Sequence, residues 1–196
     1  MSLSPELRRL QQSLSCCTYN GAQHSAVIIT ESDPSAVLRN ALIQTGSGDW
    51  FSFSPDQGRG PTALMSPLLT CGDPHKHHRA CDCVIIMRNA ENQLTVVYID
   101  LKSGNPKGYE GQFKSTRQFV RYAVELLKEF HASPLEIARE QYVILYGGRE
   151  RTAVRKTTTT PNAHKSVRTS PGDAFKKEIP NGASVYFKEI LGRVNA

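Results

Sequence analysis

Residues 79–104 read R-A-C-D-C-V-I-I-M-R-N-A-E-N-Q-L-T-V-V-Y-I-D-L-K-S-G, and this stretch decides the fold. Val84, Ile85 and Ile86 follow Asp82, while Val96, Val97, Tyr98 and Ile99 run into Asp100. β-Branched and aromatic runs of this length, parted by the turn-like R-N-A-E-N-Q, predict two adjacent strands. Their near-continuous apolar character predicts a sheet covered on both faces. Charges in such strands are costly unless they are paired, solvated at an edge or bound to metal. Side chains alternate along a strand, so Asp100 and Lys102 share a face and Leu101 takes the other. A register that brings Asp82 alongside would gather two carboxylates and an ammonium in one place. Close carboxylates repel, and a hard divalent cation with oxygen ligands relieves the repulsion.

A helical pattern follows, with Phe113, Thr116, Val120, Ala123 and Leu127 on one stripe between about Glu110 and Phe130. Asp82, the intervening strand, Asp100-Leu101-Lys102 and the helix G-Q-F-K-S-T-R-Q-F-V-R-Y-A resemble the PD-(D/E)xK nuclease superfamily, which has a restriction-endonuclease-like fold. Strand, strand and helix come in the superfamily's order, and Cys81 stands where the motif carries proline. The resemblance implies Mg²⁺ or Mn²⁺ held by Asp82, Asp100 and the Leu101 backbone carbonyl. It implies that Lys102 orients or helps deprotonate the attacking water. Gln112 matches a glutamine near the start of this helix in many members, and it joins Asp82, Asp100 and Lys102 as a catalytic candidate. The implied activity is metal-dependent hydrolysis of phosphodiester bonds, in DNA ahead of RNA, in a defence or repair setting. The alternative is a non-catalytic nucleic-acid-binding or protein-interaction module on the same fold. A homodimer or a larger effector assembly is compatible with either.

At 196 residues the chain is expected to form a single mixed α/β domain, a central β-sheet flanked by helices. The core is expected over about 25–146, followed by a basic segment at 147–196. The whole net charge of +6 lies in that segment, since Lys/Arg and Asp/Glu balance over residues 1–146. A basic segment beside an acidic metal site suits a polyanion such as nucleic acid. Lys107, Lys114, Arg117, Arg151, Arg155 and Lys156 are the candidates for phosphate contacts. No apolar run is long enough to span a bilayer, and the N-terminus lacks a signal-peptide core. Five cysteines, with Cys16 and Cys17 adjacent, make no disulfide framework and point to a reducing cytoplasm.

The rest of the chain supplies flanking elements. Ser4-Pro5-Glu6 predicts a helix start, with a Leu7, Leu10 and Leu14 stripe. Glu6 is read as a first-turn acid that favours the helix dipole. Ser25–Thr30 predicts a strand, and Glu31 at its end is a rim position for a third metal ligand. Ser32-Asp33-Pro34 predicts a helix carrying Val37, Leu38, Ala41 and Leu42. Trp50–Phe53 reads as a short strand. Residues 54–78 are broken by proline and glycine and read as a long loop beside the site. Cys71, His75, His77, His78, Cys81 and Cys83 are zinc-type ligands, but without a CxxC pair. Cys81 and Cys83 are expected on the strand face opposite Asp82, packed as small apolar residues. Ser133-Pro134 predicts a short helix, and Tyr142–Tyr146 a strand running parallel to the D-L-K strand. The chain then reads as loop to about Gly172, and residues 184–188 as a last strand or amphipathic turn.

Overall fold

The computed structural model describes residues 2–59, 64–72, 77–104, 106–148 and 169–191. The two apolar runs form β5 (Cys83–Arg88) and β6 (Gln93–Ser103), preceded in the chain by β1 (Cys17–Asn20), β2 (Ala26–Thr30), β3 (Asn40–Gln44) and β4 (Trp50–Phe53). They are followed by β7 (Glu136–Gly148), β8 (Phe175–Pro180) and β9 (Ala183–Tyr186). The helices are α1 (Pro5–Gln12), the short α2 (Pro55–Gly58), α3 (Glu110–His131) and α4 (Phe187–Leu191). The protein is therefore mixed α/β, as the sequence pattern predicts.

The main sheet has the order β1-β4-β5-β6-β7-β8 and is antiparallel through β6, then parallel from β6 to β8. Strands β5 and β6 form the expected antiparallel pair, with Cys83 opposite Ile99 and Arg88 opposite Leu94. The α3 crossover then brings β7 in parallel to β6, with Lys102 opposite Tyr146. Alternation divides β6 between two layers. Val96 and Tyr98 join Phe113, Val120 and Leu127 of α3 and Leu7 and Leu10 of α1 in one core. Val97, Ile99 and Leu101 pack on the other side with Val27, Ile29, Ile43 and Val185 of a second sheet, ordered β2-β3-β9. Both faces of β5 and β6 are thus covered, which is why they read as continuous apolar runs.

Helix α1 begins as expected: the Ser4 hydroxyl accepts the Leu7 N–H at 3.3 Å, and Pro5 opens the helix. Helix α3 ends with Ala132 in the left-handed region, where its N–H bonds the Lys128 carbonyl. Among the described residues no helix is long and apolar enough to cross a membrane.

Three expectations are corrected. The helix predicted over Ser32–Leu42 is an irregular segment leading into β3. The Ser103 hydroxyl takes the N–H groups of Val37 and Leu38, and the Asn181 side chain takes those of Arg39 and Asn40. Ala41 and Ile43 are buried on the strand period while Leu42 is only half-buried. The helix predicted at Ser133-Pro134 is absent; Leu135 is buried in the core and β7 starts at Glu136, pairing the full length of β6. Cys81 and Cys83 are both buried among apolar groups, but on opposite layers, because the chain bends at Asp82 and regular strand begins only at Cys83. Strands β1 and β8 and the short α2 were not anticipated, and residues 184–188 contribute to both β9 and α4.

Candidate metal centre

Pairing between β5 and β6 stops at Cys83 and Ile99, so residues 100–103 of β6 run on past their antiparallel neighbour. The next N–H on that edge belongs to Leu101. It is taken by the Asp82 carboxylate at 2.5 Å, in place of a backbone carbonyl. An extended residue turns its N–H and C=O toward the same edge, so the Leu101 carbonyl faces this side as well. Asp100 and Lys102 point into the α3 layer, with the ammonium 2.8 Å from Asp100 Oδ2. Lys102 also donates to Gln112 Oε1 at 3.0 Å, and Gln112 Nε2 donates to the Ala80 carbonyl at 3.1 Å. Asp82, Asp100, Lys102 and Gln112 are therefore linked directly or through one backbone group.

Helix α3 holds the segment that delivers Asp82. Gln112, Ser115 and Thr116 fall on one helical face. Gln112 binds the Ala80 carbonyl, Ser115 donates to the His77 carbonyl, and Thr116 Oγ1 accepts the Cys81 N–H at 3.1 Å. Sequence reasoning placed Thr116 on the apolar stripe and gave Ser115 no role. A buried hydroxyl at that position was the available signal. Thr116 is fully buried, so Thr116→Val leaves the Cys81 N–H without its partner. We expect this substitution to cost about 1–3 kcal/mol in chemical denaturation, and a wild-type midpoint would show that the clamp carries no stability.

Burial sets the electrostatics. Asp100 has no exposed surface, and desolvation is the main force raising its pKa, to about 6; Lys102 opposes the rise. Asp82 is likewise pushed well above the usual carboxylate range, first by desolvation and then by the charge of Asp100. The Leu101 amide and Lys102 pull it back. A raised carboxyl pKa means that the fold binds the proton more tightly than the unfolded chain does. In metal-free protein, the contribution of Asp100 to stability is therefore fully present below the ordinary Asp value of 3.8 and is lost as pH rises through about 6. Thermal denaturation in EDTA should show Tm declining across that window, with Asp100→Asn flattening the decline. A Tm that falls as steeply in the Asn variant would place the titration elsewhere.

The donor set fits a divalent cation. Both carboxylate oxygens of Asp100 are buried without an aligned hydrogen-bond donor among the described residues, the Lys102 contact being one of charge. With Asp82 beside it, the pair carries two negative charges against the one ammonium of Lys102, a deficit that a further cation or a proton relieves. Asp82, Asp100 and the Leu101 carbonyl offer hard oxygen ligands, and Mg²⁺ characteristically takes one or two carboxylates and keeps several waters. Among the described residues no group of three or more His, Cys, Asp or Glu side chains comes together as a metal site. Glu31 is not brought into the ligand set: its Oε1 accepts the Asp33 N–H at 2.9 Å. Its charge still raises the pKa of both aspartates. Glu6 lies at the far end of β5, 3.9 Å from Arg88.

The other candidates divide. Lys107 is exposed in the turn between β6 and α3. Lys114 is exposed and pairs with Glu110 at 2.6 Å. Arg117 is half-buried, and its charge bears on the Tyr142 hydroxyl. Arg151, Arg155 and Lys156 lie outside the described residues, as does His75. His77 and His78 bind loop carbonyls at Leu69 and Thr70. A cavity of about 820 Å³ between residues 65–69 and α3 is lined by Leu68, Leu69, Phe119 and Tyr122 and includes none of the site's charged residues. No family model, curated protein or solved structure matches the chain.

Proposed function

We propose that the protein is a metal-dependent nuclease that hydrolyses phosphodiester bonds, with a restriction-endonuclease-like core and DNA ahead of RNA as substrate. The observation that carries this reading is the buried Asp100 carboxylate, lacking an aligned donor, beside Asp82 and a lysine held in place by glutamine. Asp82, Asp100 and the Leu101 carbonyl would hold Mg²⁺ or Mn²⁺. The bound ion would supply Lewis acidity toward the phosphate and its leaving oxygen. Lys102 orients the attacking water and favours its deprotonated form, since an ammonium held between Asp100 and Gln112 has a fixed direction of donation. Gln112 keeps that ammonium in place and ties it to the Ala80 carbonyl.

A reducing cytoplasmic setting goes with this reading and is supported by five cysteines that are all free. A role in defence or repair, alone, as a homodimer or within an effector assembly, is part of the same proposal. The test is cleavage of labelled duplex, single-stranded and branched DNA and of RNA, in Mg²⁺, Mn²⁺ and EDTA. Cutting in metal and not in EDTA supports the reading. Binding without cutting in every metal favours the non-catalytic module.

A further inference from the structure

Beyond the metal centre, the carboxyl ends of β6 and β7 and the adjoining part of β8 border a cleft of about 710 Å³ lined by Ser103, Pro106, Tyr146, Lys176 and Glu178, among others. Residues paired across a parallel sheet share a face, so the register defines what stands beside the site. Lys102, Tyr146 and Glu178 form one row, and Asp100, Ile144 and Lys176 form the row beneath it. Tyr146 is thus the immediate neighbour of Lys102, one strand spacing away. Its ring rests partly buried against the α3-side core, with the remainder open to the cleft. Its hydroxyl makes no hydrogen bond among the described residues. Gly147 and Gly104 border the same cleft; Gly147 packs closely on the Ile179 backbone of β8, while the space at Gly104 is open.

Lys176 is exposed, and its ammonium lies 5.3 Å from the centre of the Tyr109 ring, on the α3 side. Glu178 stands opposite Tyr146 on β8. An aromatic face and a lysine one row away match two parts of an unpaired nucleotide, the base and the phosphate. A base inside a duplex has both faces stacked and cannot offer one to a side chain.

We propose that Tyr146 is the stacking platform of a subsite for one unpaired nucleobase next to the reacting phosphate, with Lys176 contacting the adjoining backbone. This rests on the nuclease reading and narrows it: the substrate is a single strand, or a duplex locally opened at this position.

The experiment measures binding in EDTA, where no cutting is expected, by fluorescence anisotropy of a labelled poly-dT strand, the same strand without bases, and a poly-dA/poly-dT duplex. The wild type should prefer the poly-dT strand to both others. Tyr146→Ala and Tyr146→Leu should weaken poly-dT binding by about tenfold or more while leaving the base-free strand unchanged, and Tyr146→Phe should retain it. Lys176→Ala should weaken both single strands alike. The Leu and Phe variants keep the packing against the core, so a folding defect is separated from a lost stacking face. Equal binding of poly-dT and the base-free strand by the wild type, no binding, or wild-type affinity in Tyr146→Leu would overturn the proposal. Absence of cutting by the wild type in Mn²⁺ would instead count against the nuclease reading and leave this binding result standing.

Discussion

Asp100→Ala should abolish metal-dependent cleavage, with a loss on the order of 10³-fold or more in kcat. Asp100 is the residue whose position has the least explanation without a cation. It is fully buried, its oxygens lack aligned donors, and it faces a second carboxylate. Asp100→Asn is the sharper comparison, because it keeps the shape and removes the charge. It should lose activity nearly as completely while being at least as stable as the wild type in EDTA, since two buried carboxylates share the single ammonium of Lys102 and desolvation disfavours their charge. Activity within a few-fold of wild type in the Asn variant would remove Asp100 from the chemistry. A strongly destabilised Asn variant would show instead that the Lys102–Asp100 ion pair is a structural contact.

Lys102→Met should produce the second largest loss, about 10²–10⁴-fold in kcat, with little effect on metal affinity or on substrate KM. The ammonium is reachable from solvent, yet it is held at 2.8 Å from Asp100 and 3.0 Å from Gln112. Gln112→Ala releases one of those restraints and leaves the charge, so its loss should be smaller and Lys102-dependent. In a double variant, the Gln112 substitution should add almost nothing to the loss already caused by Lys102→Met. Additive losses would mean that Gln112 acts separately, for example on substrate. Steady-state rates over the same metal concentrations decide between these outcomes.

How legible the molecule was in its sequence follows from which constraints are local. The two strands and α3 were readable because their apolar patterns extend over many residues, and Asp82, Asp100 and Lys102 follow from alternation within them. What alternation does not reveal is where pairing stops. The bend at Asp82 depends on β5 ending at Cys83, and it moves Cys81 and Cys83 to opposite layers. Residues 32–42 satisfied a helical spacing, but their N–H groups are taken by Ser103 and Asn181, far along the chain. Strand β8 was hidden by Lys176, Lys177 and Glu178, which read as part of a basic segment. In the fold they belong to β8, the last strand in the order of the main sheet among the described residues. Thr116 and Tyr146 were legible as core or strand residues only. Their polar contact and their place beside Lys102 come from tertiary register.

The central claim is that Asp82 and Asp100 together hold a divalent cation, and direct Mn²⁺ binding tests it without reference to any substrate. Titration followed by electron paramagnetic resonance should show a saturable site in the wild type that Mg²⁺ displaces. That site should be lost or greatly weakened in both Asp82→Ala and Asp100→Ala and retained in Lys102→Met. Mn²⁺ binding that is absent from the wild type, or that survives unchanged in both aspartate variants, would contradict the account.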